Sequence, residues 1–193
     1  MDLILLCVNT VLYGLNMTKR LNKLQWLEHG LRTLASTGPN ALRAELLAKS
    51  LGVTRGSFYW HFANLQDFHR ELLQLWKIRT TDTVIDEIEN ASGGPGRLHA
   101  LLTRSFASDQ TLERAIRSWA FDSKDAAKTI ASVDDLRLSY IADILKSSAV
   151  DKADQKLRAN MLYWAYVGRV VMDNASDKWS DKDTQKLAQL FLS

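Results

Sequence analysis

Residues 46–62 read LLAKSLGVTRGSFYWHF, and five consecutive rings, Phe58 to Phe62, follow the turn at Gly52. One helix face cannot bury five adjacent rings, so some point outward, and outward rings usually touch something. Phe58 and Phe62 are expected in the core, with Tyr59 and Trp60 projecting from the helix. Upstream, residues 41–51 suit a short helix, stopped by Gly52 with the permissive backbone that a sharp turn needs. Thr54 is placed to cap a second short helix running to about His61. Ala48 is small where the two helices cross, and Leu47, Leu51, Val53 and Phe58 can form the core beneath them. Two short helices joined in this way make a helix-turn-helix by spacing. The second helix is pushed out far enough to enter a major groove about 12 Å wide.

Longer helices flank the pair. From Thr18 to Ser36, Leu21, Leu24, Leu27, Leu31, Leu34 and Ala35 repeat at three- and four-residue steps, which turns one stripe to a core. Gly38 and Pro39 end that helix. Asn64 is a good cap for a helix carrying Leu65, Phe68, Leu72, Leu75 and Trp76 and continuing to about Glu89. Residues 91–96, ASGGPG, read as a linker. Beyond it a helix reaches about Ser118, breaks near Asp122, and gives way to another through residue 148. Further stripes cover 153–175 and 182–192. With two prolines in 193 residues, the chain reads as all-α.

Composition narrows the function. The chain is 46% hydrophobic and 24% charged, an ordinary globular balance. One cysteine, Cys7, excludes an internal disulfide framework and fits a reducing, cytoplasmic setting. His29, His61, His69 and His99 show no metal-site spacing, so no metal and no cofactor is expected. No glycine-rich phosphate loop or convincing carboxylate pair points to an enzyme. Residues 17–80 hold ten Lys or Arg against four Asp or Glu, a balance of +6, whereas residues 81–193 hold 15 against 17, or −2. The positive charge therefore accompanies the ring cluster, as a polyanion-binding head requires. The other class compatible with such a head is a helical interaction module that meets an acidic protein.

Residues 1–16, MDLILLCVNTVLYGLN, lack the basic start of a signal peptide and are too short and interrupted to span a bilayer. They are expected to be an extension upstream of a working start near Met17; an apolar arm docking on the body or on a membrane is the alternative.

The stretch LLAKSLGVTRGSFYWHFANLQDFHREL, residues 46–72, resembles the DNA-binding domain of the tetracycline-repressor (TetR) family. The matching residues are Leu47-Ala48, Gly52-Val53 and Tyr59-Trp60-His61-Phe62. Two positions depart from the pattern: Leu65 stands where a phosphate-binding Lys is usual, and Arg43 where a Thr or Ser cap is usual. The resemblance implies an N-terminal three-helix head, residues 17–65, and a helical ligand-binding and dimerisation domain, residues 66–193. It implies duplex operator DNA as partner, a second copy of the chain, a small-molecule effector, and no membrane. Among the outward residues, Arg55 is the candidate reader of guanine, since its fork matches O6 and N7. Gly56 permits close backbone approach, and Tyr59 and Trp60 meet phosphate, sugar or a thymine methyl. Thr54, Ser57, His61, Asn64 and Arg43 complete the DNA-facing set, with Lys19 and Arg20 as further phosphate contacts.

For the second domain, Trp76, Phe106, Trp119, Phe121, Tyr140 and Tyr163 are aromatic candidates for a ligand pocket, although such stripes more often belong to a core. Trp119-Ala120 and Asp134-Asp135-Leu136-Arg137-Leu138 also resemble a C-terminal subfamily pattern. Leu157, Met161, Trp164, Ala165, Gly168, Val171, Met172 and Ala175, with Leu187, Leu190 and Phe191, suit a twofold four-helix interface; an internal core stripe has the same periodicity.

Overall fold

The computed structural model describes residues 21–91, 93–94, 96–172 and 179–193. Residues 1–16, Met17, Thr18, Lys19, Arg20 and Ala175 lie outside them. All regular structure among the described residues is helical.

Helix α1, Lys23–Thr37, starts from a reciprocal cap. The Asn22 side chain accepts the Gln25 N–H at 2.9 Å, and the Gln25 side chain accepts the Asn22 N–H at 2.8 Å. Its buried face is Trp26, Leu27, Gly30, Leu31 and Leu34. This face is rotated from the expected stripe: Leu24 is 46% exposed, because Trp26 fills the core and two residues turn a helix by about 200°. Gly30 marks where α1 crosses α4, since a Cβ there would lie 2.5 Å from Leu72 Cδ1 and 2.6 Å from Phe68 Cζ.

Helix α2, Ala44–Leu51, ends at Gly52, which sits at φ 69° in the left-handed region. The Val53 N–H returns to the Ala48 carbonyl at 3.0 Å, closing the turn. Helix α3, Arg55–Tyr59, is shorter than the sequence suggests, and the chain turns out through Trp60 and His61. Asn64 caps α4, Leu65–Lys77, by accepting the Asp67 N–H at 2.8 Å. A π-helical turn, Ile78–Asp82, carries the chain into α5, Thr83–Ala91, so one helical path runs from Leu65 to Ala91. Then come α6, Gly96–Ala107; α7, Thr111–Trp119; α8, Lys124–Lys146; α9, Lys152–Met172; and α10, Asp181–Leu192.

Two apolar clusters hold these helices. The first gathers α1 to α4 around Trp26, Phe58, Phe62 and Phe68, and also takes Ile116 and Trp119 from α7 and Ala126, Ile130 and Val133 from α8. The second joins α6, the far half of α8, α9 and α10 around Leu98, Phe106, Ile144, Leu162 and Tyr163. Packing therefore runs across residue 65, and α7 is built into the same core as the head. No helix among the described residues is long and apolar enough to cross a membrane.

Candidate nucleic-acid interface and ligand cavity

The ring run divides as its spacing demands. Phe58 and Phe62 are buried, with ring centroids 5.0 Å apart, and Phe58 stands edge-on to Trp26 at 5.4 Å. Tyr59 is 45% and Trp60 75% exposed. Arg55 is exposed; it donates to the Tyr59 hydroxyl at 3.1 Å and its guanidinium lies over the Tyr59 ring. Thr54 and Gly56 are exposed, Ser57 is half-buried, and Arg43 is exposed at the start of α2 without capping it. The sealed rings thus hold α3 rigidly, while its outer side presents a guanidinium, a phenol and an indole.

His61 and Asn64 are tied into the fold. The His61 Nε2 lies 2.8 Å from the Leu21 carbonyl, fastening the exit of α3 to the entry of α1. Beside Asn64, the Asp67 carboxylate accepts the Ala63 N–H at 3.1 Å and pairs with Arg70 at 2.9 Å. The Ala63 hydrogen bond, then the Arg70 hydrogen bond, hold that carboxyl below its ordinary pKa. A phosphate approaching the start of α4 therefore meets an ionised Asp67 as well as backbone amides. Leu65 is half-buried against the first core, which accounts for an apolar residue at that position.

Between the two apolar clusters lies a cavity of about 230 Å³. Of the six aromatic candidates, Trp76, Phe106, Tyr140 and Tyr163 line it. Trp119 and Phe121 do not: Trp119 is buried in the first core with its ring 5.0 Å from that of His69, and Phe121 is 91% exposed. Both sit at the end of α7, where the helix has already turned from the cavity to the head. Tyr166, Gln110, Glu113 and Arg137 join the wall, and the aromatic pattern alone had not singled them out.

Glu113 is 5% exposed and serves two arginines. Arg117 approaches it at 3.0 Å and Arg137 also at 3.0 Å. Arg117 pairs further with Asp134 at 2.7 Å, and the Tyr163 hydroxyl donates to Asp134 at 2.5 Å. Arg137 donates to the Thr81 hydroxyl at 3.0 Å and to the Thr80 carbonyl at 3.3 Å, both in the π-helical turn. Burial works against the Arg137 charge, but Glu113 more than restores it. Burial pushes the Tyr166 phenol up to about 12, so it stays a neutral donor and reaches Gln110 at 3.2 Å. Helical spacing places Glu113 and Arg117 on one face of α7; their partners Arg137 and Asp134 on α8 come from folding.

The apolar stripe proposed on α9 is the face turned away from the body. Leu157, Met161, Trp164, Val171 and Met172 are each more than half exposed, as is Leu190 on α10. Gly168 is half-buried, and Leu187 packs partly against the second core. The inward face of α9 is instead Ala159, Leu162, Tyr163 and Val170.

Residues 27–72 match the family model of bacterial regulatory proteins, tetR family. No curated protein matches the chain in sequence. Among solved structures, reduced NemR of E. coli superposes with a TM-score of 0.73 at 15% identity, covering 87% of this chain and 96% of that one. FadR of Bacillus subtilis, solved with stearoyl-CoA, gives 0.68 at 17% identity over 89% and 98%. A putative transcriptional regulator of Saccharomonospora viridis, solved with choline, gives 0.70 at 16% over 86% and 92%. The helix-turn-helix segment is thus matched by the tetR-family model in sequence, and the described fold is shared with these solved structures.

Proposed function

We propose that this regulator binds operator DNA as a twofold homodimer, acts as a repressor, and is released when a small molecule enters the cavity. The observation that carries the DNA reading is the outer side of α3: Arg55, Tyr59 and Trp60 stand out over a sealed aromatic core, in the basic third of the chain. Arg55 reads guanine, Thr54 and Ser57 reach base edges or phosphate, Gly56 allows close approach, and Tyr59 and Trp60 pack on the backbone. Arg43 and Asn64 lie at the flanks, and His61 holds the end of α3 in place. Residues 17–65 do the reading; residues 66–193 bind the ligand and pair the subunits.

The exposed stripe of α9, with Leu190 of α10, is the proposed dimer face. Such an apolar patch on a monomer would be an aggregation hazard. A twofold axis across it covers the stripe and sets two α3 helices about 34–36 Å apart, one turn of DNA. Coupling runs through α7, whose Glu113 faces the cavity while Ile116 and Trp119 pack into the head's core. A ligand that favours one setting of α7 lowers DNA affinity by its differential affinity for the two states.

Gel shift with the DNA upstream of the protein's own gene tests this reading. A specific shift is expected, falling about a thousandfold or more between 50 and 200 mM salt if six to ten phosphates are contacted. Arg55→Ala should weaken operator binding and relax base preference at one position, an effect of about 1–3 kcal/mol, without altering thermal stability. An unchanged preference across operator variants would reassign the reader.

A further inference from the structure

The charges in the cavity wall are already spent on one another. Glu113 faces Arg137 and Arg117, and Asp134 completes the second pair. Two acids and two guanidinium groups leave no net charge there. An entering anion would compete with Glu113 for Arg137 and lie beside a buried carboxylate. An entering cation meets rings of which Trp76, Tyr166 and Phe106 already carry an arginine. The Arg137 guanidinium lies 5.8 Å from the Trp76 ring centre and 5.6 Å from that of Tyr166. The other charged residues in the lining itself, Arg104 and Asp109, are exposed and engaged, Arg104 with Ser108 at 2.7 Å and Asp109 with Thr111 at 2.6 Å; behind the wall, Arg169 lies over the Phe106 ring and Glu89 accepts from Tyr140.

What remains is apolar wall and hydrogen-bonding capacity. Leu98, Leu102 and Ile141 contribute buried aliphatic surface. Trp76 is wholly buried in the wall, and its indole N–H has no acceptor among the described residues. A buried donor without a partner is costly, and an oxygen on a ligand relieves it. Size sets the last limit. An apolar cavity of about 150 Å³ accommodates benzene, so one of about 230 Å³ takes roughly nine non-hydrogen atoms by proportion.

We infer that the cavity selects a compact, uncharged, mainly apolar molecule with one oxygen acceptor, and discriminates against ions of either sign. This rests on the effector reading above and narrows it to a ligand class.

The test uses three matched probes, 4-ethylbenzyl alcohol, 4-ethylbenzoate and 4-ethylbenzylammonium, titrated calorimetrically into the full chain without DNA at pH 7. The alcohol is expected to bind at least tenfold more tightly than either ion. Leu101→Trp, which fills a half-buried wall position, should abolish that binding. Trp76→Phe should weaken it severalfold while the protein keeps its helical circular dichroism. Glu113→Gln should let the benzoate gain at least tenfold on the alcohol; if that variant does not fold, the three-probe comparison on the parent chain decides by itself. Equal or tighter binding of either ion, or no binding of the alcohol, overturns the inference. Binding of the alcohol with no change in operator affinity would preserve the inference and defeat the effector reading instead.

Discussion

The two apolar clusters have opposite characters. The first holds Trp26, Phe58, Phe62 and Phe68 ring against ring, and its buried members are all apolar. The second borders a cavity of about 230 Å³ and a part-buried array of Glu113, Arg117, Asp134 and Arg137. A close-packed aromatic core has one good arrangement and resists deformation. A cavity crossed by ion pairs has alternative pairings close at hand, because each charge can exchange one partner for another. The difference suits the proposed division between a head of fixed shape for a groove and a body that answers to a ligand.

The sharpest way to break this contrast is to remove the centre of the first core. Phe58→Ala should cost about 4 kcal/mol of stability and abolish DNA binding, as followed by urea denaturation and gel shift. Loss of only a few tenths of a kcal/mol would mean that the head is not organised around that ring.

The corresponding cut in the body is Glu113→Leu. It leaves Arg137 and Arg117 with Asp134 as the remaining acid, and should cost about 3 kcal/mol. Adding Arg137→Met should recover part of the loss, since buried ion pairs often break even with apolar packing. A double variant no more stable than the single one would show that the array acts as packing rather than as paired charge.

A smaller effect probes how tightly the head is filled. Gly30→Ala puts a methyl group within 2.6 Å of Phe68 and Leu72, and should lower stability by about 2 kcal/mol. A neutral result would show that α1 and α4 can separate without penalty, contrary to a rigid head.

The smallest effect is in pH. His69 joins α4 to the Leu42 carbonyl and the Trp119 ring, and burial holds its pKa below 6.5. The unfolded chain thus binds this proton before the folded one does. Its contribution to stability is full above pH 6.5 and is lost as pH falls from there through the folded value. His69→Phe should flatten the decline between pH 7.5 and 5.5, leaving the share of His29, which burial also lowers. An identical pH profile in the variant would exclude His69 as its source.

Local chemistry determined a good deal of this protein by itself. The Gly52 turn, the Asn64 cap and the split between inward Phe58 and Phe62 and outward Tyr59 and Trp60 follow from neighbours one to four residues away. Such features depend on backbone freedom, capping and helical period, which any reader of the sequence can apply. The position of the α1 stripe was less secure, because leucines lie on more than one side of that helix and only packing against α4 selected the face with Trp26 and Gly30. Tertiary structure alone decided that α7 belongs to the core of the head, that Trp119 and Phe121 miss the cavity, and that Arg137 meets Glu113, 24 residues away in sequence. Those contacts are set by how helices distant in the chain cross. Periodicity says which face of a helix is apolar, and it carries no information about which other helix that face will meet.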